Sequence, residues 1–232
     1  MTIFYKKDIE SGSNTLPEEE SKHCALVLRH KVGDNIRIFD GKGAVYESKL
    51  TLISKKVCEF EIIDKKKEQP KDFKIHLAIA PTKNMDRMEW LIEKLSEIGV
   101  DEVSFIQTQH SERKKMRFDR LEKKAISAMK QSGNPFLIQI NEIVTLEDFL
   151  SNCDEEQRFI AHVDETHTYV SGLVKPKHPI CILIGPEGDF SPFEVDSAKS
   201  SGFKPVSLGH NTLRTETAGF VACCIINSIN KY

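Results

Sequence analysis

The sequence predicts an α/β protein: a C-terminal domain with a mostly parallel sheet, preceded by a small β-rich domain. Three observations carry this. From Phe73 onward, short apolar runs alternate with amphipathic helical segments, the pattern of strands joined by crossover helices. Residues 1 to about 70 read instead as short strands separated by turn residues. Between them, Lys65-Lys66-Lys67-Glu68-Gln69-Pro70-Lys71-Asp72 is a polar, proline-containing break. The expected domains are therefore 1–70 and 73–232.

In chain order, Glu18 to Arg29 reads as a short helix, with Leu26 and Leu28 near its end. Ile36 to Phe39, Val45 to Ile53 and Val57 to Ile63 read as strands, the first two joined by the turn Asp40-Gly41-Lys42-Gly43. Ile75 to Ala80 is an apolar strand. Met85, Met88, Leu91, Leu95 and Ile98 then form one helical stripe, which Gly99 is placed to cap. Val103 to Ile106 is the next strand, followed by a basic helix near Arg120 to Gln131. Phe159 to Val163 and Ile180 to Ile184 are buried-strand candidates. Ser191-Pro192-Phe193-Glu194 is a capping box with proline at the first helical position, and that helix should stop at Gly202. Val206 to Leu208 and Arg214 to Ile229 read as the last strand and helix.

Bulk properties narrow the class. Apolar residues make up 39% and charged residues 29%, ordinary for a globular protein. No apolar run approaches the roughly 20 residues needed to span a bilayer, and the first residues lack a signal peptide's layout. A cytoplasmic protein without membrane association is expected. The six cysteines include no Cys-x-x-Cys pair, which favours buried free thiols over a disulfide framework or zinc site. The net charge is −2, so any nucleic-acid surface must concentrate its positive charge locally.

Two loops carry the candidate chemistry. Ile184-Gly185-Pro186-Glu187-Gly188-Asp189-Phe190 joins an apolar strand to a capped helix, where ligands collect in open parallel sheets. A tight turn would explain two glycines alone; the embedded Pro-Glu and a second such loop favour a site. That second loop is Leu208-Gly209-His210-Asn211-Thr212-Leu213-Arg214-Thr215-Glu216-Thr217-Ala218. Polar residues crowd its helix start, where free N–H groups favour anionic or oxygen-rich ligands. Arg214 offers a fixed cationic fork for a carboxylate, phosphate or developing oxyanion. The alternative is that Thr212 and Thr215 cap the helix while Arg214 makes a surface salt bridge.

His110 to Lys130 is the densest basic stretch, containing Arg113, Lys114, Lys115, Arg117, Arg120, Lys123 and Lys124. It reads equally as an RNA-facing surface or as a solvated helix face. Three alternatives fail on spacing. Gly41-Lys42-Gly43 lacks the rest of a dinucleotide fingerprint, and no Gly-x-x-x-x-Gly-Lys-Ser/Thr loop exists. The histidines show no metal-ligand spacing, so no metal is expected and His23, His76 and His162 read as structural.

Ile184 to Ser191 and Leu208 to Ala218 resemble the signature loops of the 16S ribosomal RNA uridine N3-methyltransferase family, within the SPOUT superfamily. The resemblance covers nearly the whole chain. His23 to Arg29 and Gly33 to Gly41 are similar to that family's N-terminal domain, and Ala80-Pro81-Thr82-Lys83 with Glu97 to Val100 to its first catalytic unit. Ser111-Glu112-Arg113 and Gln131-Ser132 resemble its central segment. Four positions depart from it: Asp189 stands where a second glycine is common, Asn134 and Thr2 where arginine is, and Ile138 where proline is.

The resemblance implies a PUA-like β-barrel, then a SPOUT domain with a C-terminal trefoil knot, threading that general chain physics would not suggest. It implies a homodimer that uses S-adenosylmethionine to methylate a uridine of 16S ribosomal RNA or the small ribosomal subunit. The stripe Ala218, Val221, Ala222, Ile225, Ile229 could serve the dimer interface or the core. The expected cofactor-binding residues are Ile184, Gly185, Pro186, Glu187, Gly188, Leu208, Gly209, Asn211, Leu213, Thr215 and Ala218. Arg214 is expected to stabilise charge on the uridine, and Glu216 to act either as the base or as a helix-end structural residue. Arg29, Lys83, Arg113, Lys114, Lys115 and Arg120 are the candidate RNA-binding residues.

Overall fold

The computed structural model describes residues 1–113, 115–162 and 168–231, so Lys114, residues 163–167 and Tyr232 lie outside the described residues. Two compact units result: residues 1–70 with 126–137, and residues 71–125 with 138–232.

The first unit holds β1 (Thr2–Tyr5), β2 (Asn35–Phe39), β3 (Ala44–Ile53) and β4 (Cys58–Lys67), in the order β1-β2-β3-β4. β1 runs parallel to β2 and the other pairs are antiparallel. Phe4, Ile36, Ile38, Leu50 and Phe60 fill the core, the inward set of alternating strand positions. β1 was not legible as a strand in the sequence. β4 extends beyond the expected end to Lys67, because Tyr46 and Ala44 still pair with Lys65 and Lys67. The linker thus begins later than composition suggested.

The expected helix 18–29 is shorter. α1 (Glu18–Lys22) widens into a π-turn over His23–Val27, closed by Leu28 N–H donating to His23 O at 3.0 Å. The wider turn keeps Cys24 in the core while Leu26 and Val27 face solvent. Residues 126–137 join this unit through contacts no local pattern could announce. Met129 packs with Phe39 and Val45. Gly43, at φ +95°, sits where a Cβ would come within 2.6 Å of the Phe136 ring.

The second unit is built on β5 (Ile75–Ile79), β6 (Glu102–Gln107), β7 (Gln139–Thr145), β8 (Gln157–Ala161), β9 (Ile180–Ile184) and β10 (Lys204–Val206). Their order is β10-β8-β9-β5-β6-β7, and every pair is parallel. β5 and β9 are buried along their whole length, which explains their unbroken apolar sequence. The helices are α2 (Met85–Glu97), α3 (Phe118–Ser132), α4 (Leu146–Asn152), α5 (Pro192–Ser200) and α6 (Thr215–Asn230). β7 and α4 had no clear sequence signal, β7 being a polar edge strand with no buried residue. The last strand lies two residues earlier than expected, because Ser207 leaves the ladder to donate its N–H to Thr168 O at 2.8 Å.

The chain turns back so that β9 enters between β8 and β5. A switch of this kind opens a crevice at the carboxyl ends of the strands. α6 then packs on β5 at Gly219, where a Cβ would lie 3.1 Å from Ile79. All six cysteines are free thiols; burial pushes Cys24 up to about 12 and raises Cys181 and Cys223 well above the usual range. No described helix is long and apolar enough to cross a membrane.

Candidate functional site

The loop after β9 is tightly determined. Gly185 lies against the Phe190 ring, where a Cβ would approach to 3.1 Å. Gly188 packs beside His110, where a Cβ would lie 3.2 Å from the His110 Cβ. Asp189 adopts φ +58°, a conformation glycine takes freely and Asp tolerates, which accounts for the departure noted there. Its side chain secures the turn: Oδ1 accepts the Phe190 N–H at 2.8 Å, and Oδ2 lies 2.9 Å from His162 Nδ1. The capping box then forms as the sequence predicts, with Ser191 and Glu194 bonded reciprocally. Glu194 also accepts the Gln109 N–H at 2.7 Å, tying in the loop after β6.

The loop before α6 is held far less. Its local ties are Ser207 Oγ accepting the Gly209 N–H at 3.2 Å and donating to Gly209 O at 3.0 Å. Tyr169 Oη also meets the His210 ring at 2.9 Å. Residues 209–212 and Arg214 are exposed. Arg214 occupies the N-cap of α6, with no side-chain cap there. Among the described residues it has no carboxylate partner. Neither the threonine cap nor the arginine salt bridge of the alternative reading is formed.

Between the two loops lies a cavity of about 360 Å³ at the carboxyl ends of β8, β9 and β10. Ten of the eleven expected cofactor residues line it: Ile184, Gly185, Pro186, Glu187, Leu208, Gly209, Asn211, Leu213, Thr215 and Ala218. Arg214 lines it as well. Gly188 does not, being turned toward His110. His162, read from sequence as a structural residue, lines the cavity and pairs with Asp189. No spacing signal could have found it, because its partner is 27 residues away.

Glu216 is buried in the first turn of α6, beside the cavity but not in its wall. One oxygen lies 3.7 Å from Arg87 Nε; the other has no hydrogen-bond partner among the described residues. Arg87 also approaches Glu187 at 3.7 Å. Sequence reading missed Arg87. The available signal was a cation in the first turn of α2, the end where the helix dipole disfavours it.

Most of the basic stretch proves to be engaged. Arg113 donates to the carbonyls of Thr82, Lys83 and Lys115, acting as a strap. Arg120 pairs with Glu89 at 2.7 Å, Lys124 with Glu93 at 3.1 Å and Lys83 with Glu112 at 3.3 Å. Lys115 and Arg29 are exposed and have no carboxylate partner among the described residues. Arg29 sits at φ +54° in the first unit.

A second polar cluster occupies the amino end of the parallel sheet. His76, Glu155 and Cys181 bring possible metal-ligand atoms within 4.8 Å of one another. The fold bonds both ring nitrogens of His76 internally: Nδ1 bonds Glu155 and Nε2 lies 2.8 Å from Ser104 Oγ. Burial alone would raise the Glu155 carboxyl, but hydrogen bonds from His76 and Cys153 outweigh it and push it down to about 2.

Comparison with known proteins finds similarity to RNA methyltransferases. A family model described as the RNA methyltransferase domain matches residues 68–227, and one for the RNA methyltransferase PUA domain matches residues 16–63. The chain is 31% identical over 238 residues to ribosomal RNA small subunit methyltransferase E of Buchnera aphidicola subsp. Acyrthosiphon pisum, covering 98% of this chain and 92% of that protein. The crystal structure of a probable rRNA-methyltransferase from Porphyromonas gingivalis matches with TM-score 0.94 at 44% identity, over 100% of this chain and 99% of that one. Ribosomal RNA small subunit methyltransferase E from Neisseria gonorrhoeae, solved bound to S-adenosyl methionine, matches with TM-score 0.86 at 26% identity, over 98% and 97%.

Proposed function

The chain belongs to the RNA methyltransferase family that includes the ribosomal RNA small subunit methyltransferases E, and on that premise we propose that it transfers a methyl group from S-adenosylmethionine to N3 of a specific uridine in 16S ribosomal RNA. Its fold is a SPOUT α/β domain preceded by a PUA domain. The observation that carries the reading is the cavity between two signature loops with Arg214, which has no carboxylate partner among the described residues, on its wall.

The cavity suits the cofactor. Its volume falls in the range of small-molecule sites, and the walls combine apolar side chains with loop backbone. Gly209 has nothing within 4 Å of where a Cβ would stand, leaving room for a ligand to approach the backbone. S-adenosylmethionine, when bound, supplies an electrophilic methyl group on a sulfonium. Ile184 to Glu187 and Leu208 to Leu213 would hold its adenosine, mainly through backbone groups.

Uridine N3 carries a proton at neutral pH and must lose it to become a nucleophile. Glu216 is the proposed acceptor of that proton. Arg214 would stabilise the negative charge that spreads onto the ring carbonyl oxygens, by oxyanion-hole logic. The rest of the catalysis is positioning of N3 in line with the methyl group. Residues 1–70 form the proposed RNA-binding PUA-like domain and residues 73–232 the methyltransferase domain. Arg29 and Lys115 are the proposed phosphate contacts with unengaged charge, while Lys83, Arg113 and Arg120 would shape the RNA-facing surface.

The enzyme is proposed to act in the cytoplasm as a homodimer. Support for the dimer comes from the half-buried Val221, Ile225 and Ile229 on α6 and from the edge-to-face pair of Trp90 and Phe220. The test is incubation of 16S ribosomal RNA, free and in assembled small subunits, with labelled S-adenosylmethionine, followed by nucleoside separation. Labelled 3-methyluridine is the expected product. Label on a ribose, or none with either substrate, would overturn the reading.

A further inference from the structure

Arg87 stands in the first turn of α2, where a positive charge is unfavourable for the helix itself. Its surroundings explain why it is there. Nη1 lies 3.7 Å from Glu187 Oε1 and Nε lies 3.7 Å from Glu216 Oε1. The two carboxylates come from the two different signature loops, so one guanidinium approaches both. A planar fork can face two carboxylates at once, which an ammonium group does poorly.

Glu216 depends on this contact. Its side chain is only 9% exposed, and its Oε2 has no hydrogen-bond partner among the described residues. A buried carboxylate oxygen without a partner is costly, which makes the Arg87 contact the main compensation for the charge of Glu216. The other nearby arginine does not compete, because Arg120 is held by Glu89 at 2.7 Å and Asp86 at 3.7 Å. Among the described residues, Arg87 alone gives Glu216 a cationic neighbour.

We propose that Arg87 is a positioning residue that fixes the orientation of Glu216 through Oε1 and couples that carboxylate to the cofactor loop through Glu187. This rests on the methyltransferase reading above.

The test is a double-mutant cycle on full-length protein with Arg87→Ala, Glu216→Gln and the double variant. Single-turnover methylation of small subunits and calorimetric S-adenosylmethionine affinity are both read. Each single variant should lose about tenfold in rate, with the double variant no worse than about threefold below Glu216→Gln. Cofactor affinity should stay within about threefold throughout, and Arg87→Lys should recover part of the rate because it keeps the charge. Losses that multiply in the double variant, or cofactor affinity falling in step with rate in Arg87→Ala, would overturn the proposal. The same cycle read as melting temperature needs no activity. Coupling there without any RNA methylation would remove the functional reading yet keep the pair, whereas additive shifts would remove the pair itself.

Discussion

The two ends of one parallel sheet solve the same problem in opposite ways. At the amino end, polar groups close on each other: His76 with Glu155 and Ser104, Asn141 Nδ2 donating to Ser104 Oγ at 2.9 Å, Asp101 accepting the Ile75 N–H at 2.8 Å. At the carboxyl end, Arg214 and one oxygen of Glu216 lack partners among the described residues, and Gly209 faces open space. Buried polar groups normally find partners, whereas exposed Arg214 needs none until a ligand arrives. A cavity of about 360 Å³ lies at each end, so what separates them is engagement: the amino end bonds its polar groups to one another, while the carboxyl end leaves Arg214 free for a ligand.

Substitutions at the two ends should consequently separate activity from stability. The largest effect is expected for Arg214→Ala, with the methylation rate falling about a hundredfold or more. Its cofactor affinity should move only a few-fold and its melting temperature hardly at all. Equal losses of rate and affinity would make Arg214 a cofactor ligand instead. Next is His76→Ala, which leaves Glu155 only its Cys153 side-chain hydrogen bond and should destabilise by roughly 3 kcal/mol in denaturant titrations, leaving the rate of the folded fraction unchanged.

The same pair should be visible in pH dependence. The Glu155 carboxyl is depressed from its ordinary value of 4.5 to about 2 in the fold. Its contribution is therefore present above about pH 4.5 and is lost as the pH falls toward 2. Glu155→Gln should flatten that part of a stability profile; an unchanged profile would argue that the pair is not formed. A smaller effect is expected at Asp189. Asp189→Ala keeps the φ +58° strain but loses the His162 and Phe190 contacts, costing about 1 kcal/mol, whereas Asp189→Gly relieves the strain and should cost less. Smallest is Lys115→Ala, which should leave cofactor binding alone and lower the salt dependence of RNA binding by about one unit of slope.

How much of this was legible in the sequence follows the same division. The carboxyl-end loops were readable because their determinants are local: β9 is a continuous apolar run, the capping box fixes where α5 begins, and Arg214 stands at a helix start. The resemblance of these loops to a known family supplied the ten cavity residues that the structure brings together, and it did not show the orientation of Gly188, which depends on His110, 78 positions earlier in the numbering. What depends on tertiary partners was not readable. Arg87 acquires its meaning from Glu187 and Glu216, and His162 from Asp189. The basic stretch looked like a phosphate-binding surface until α2 supplied Glu89 and Glu93 to neutralise part of it. In the first unit, Met129 and Phe136 pack with strands from which they are distant in sequence, so a boundary drawn on composition could not include them.

The most direct test of this two-ended account is amide hydrogen exchange with and without S-adenosylmethionine. Residues 208–213 should gain strong protection, and residues 185–190, already held by turns and caps, a smaller one. The amino end around His76, Ser104 and Glu155 should not change. Protection appearing at the amino end, or no change in either signature loop at saturating cofactor, would contradict the assignment of the carboxyl-end cavity as the cofactor site.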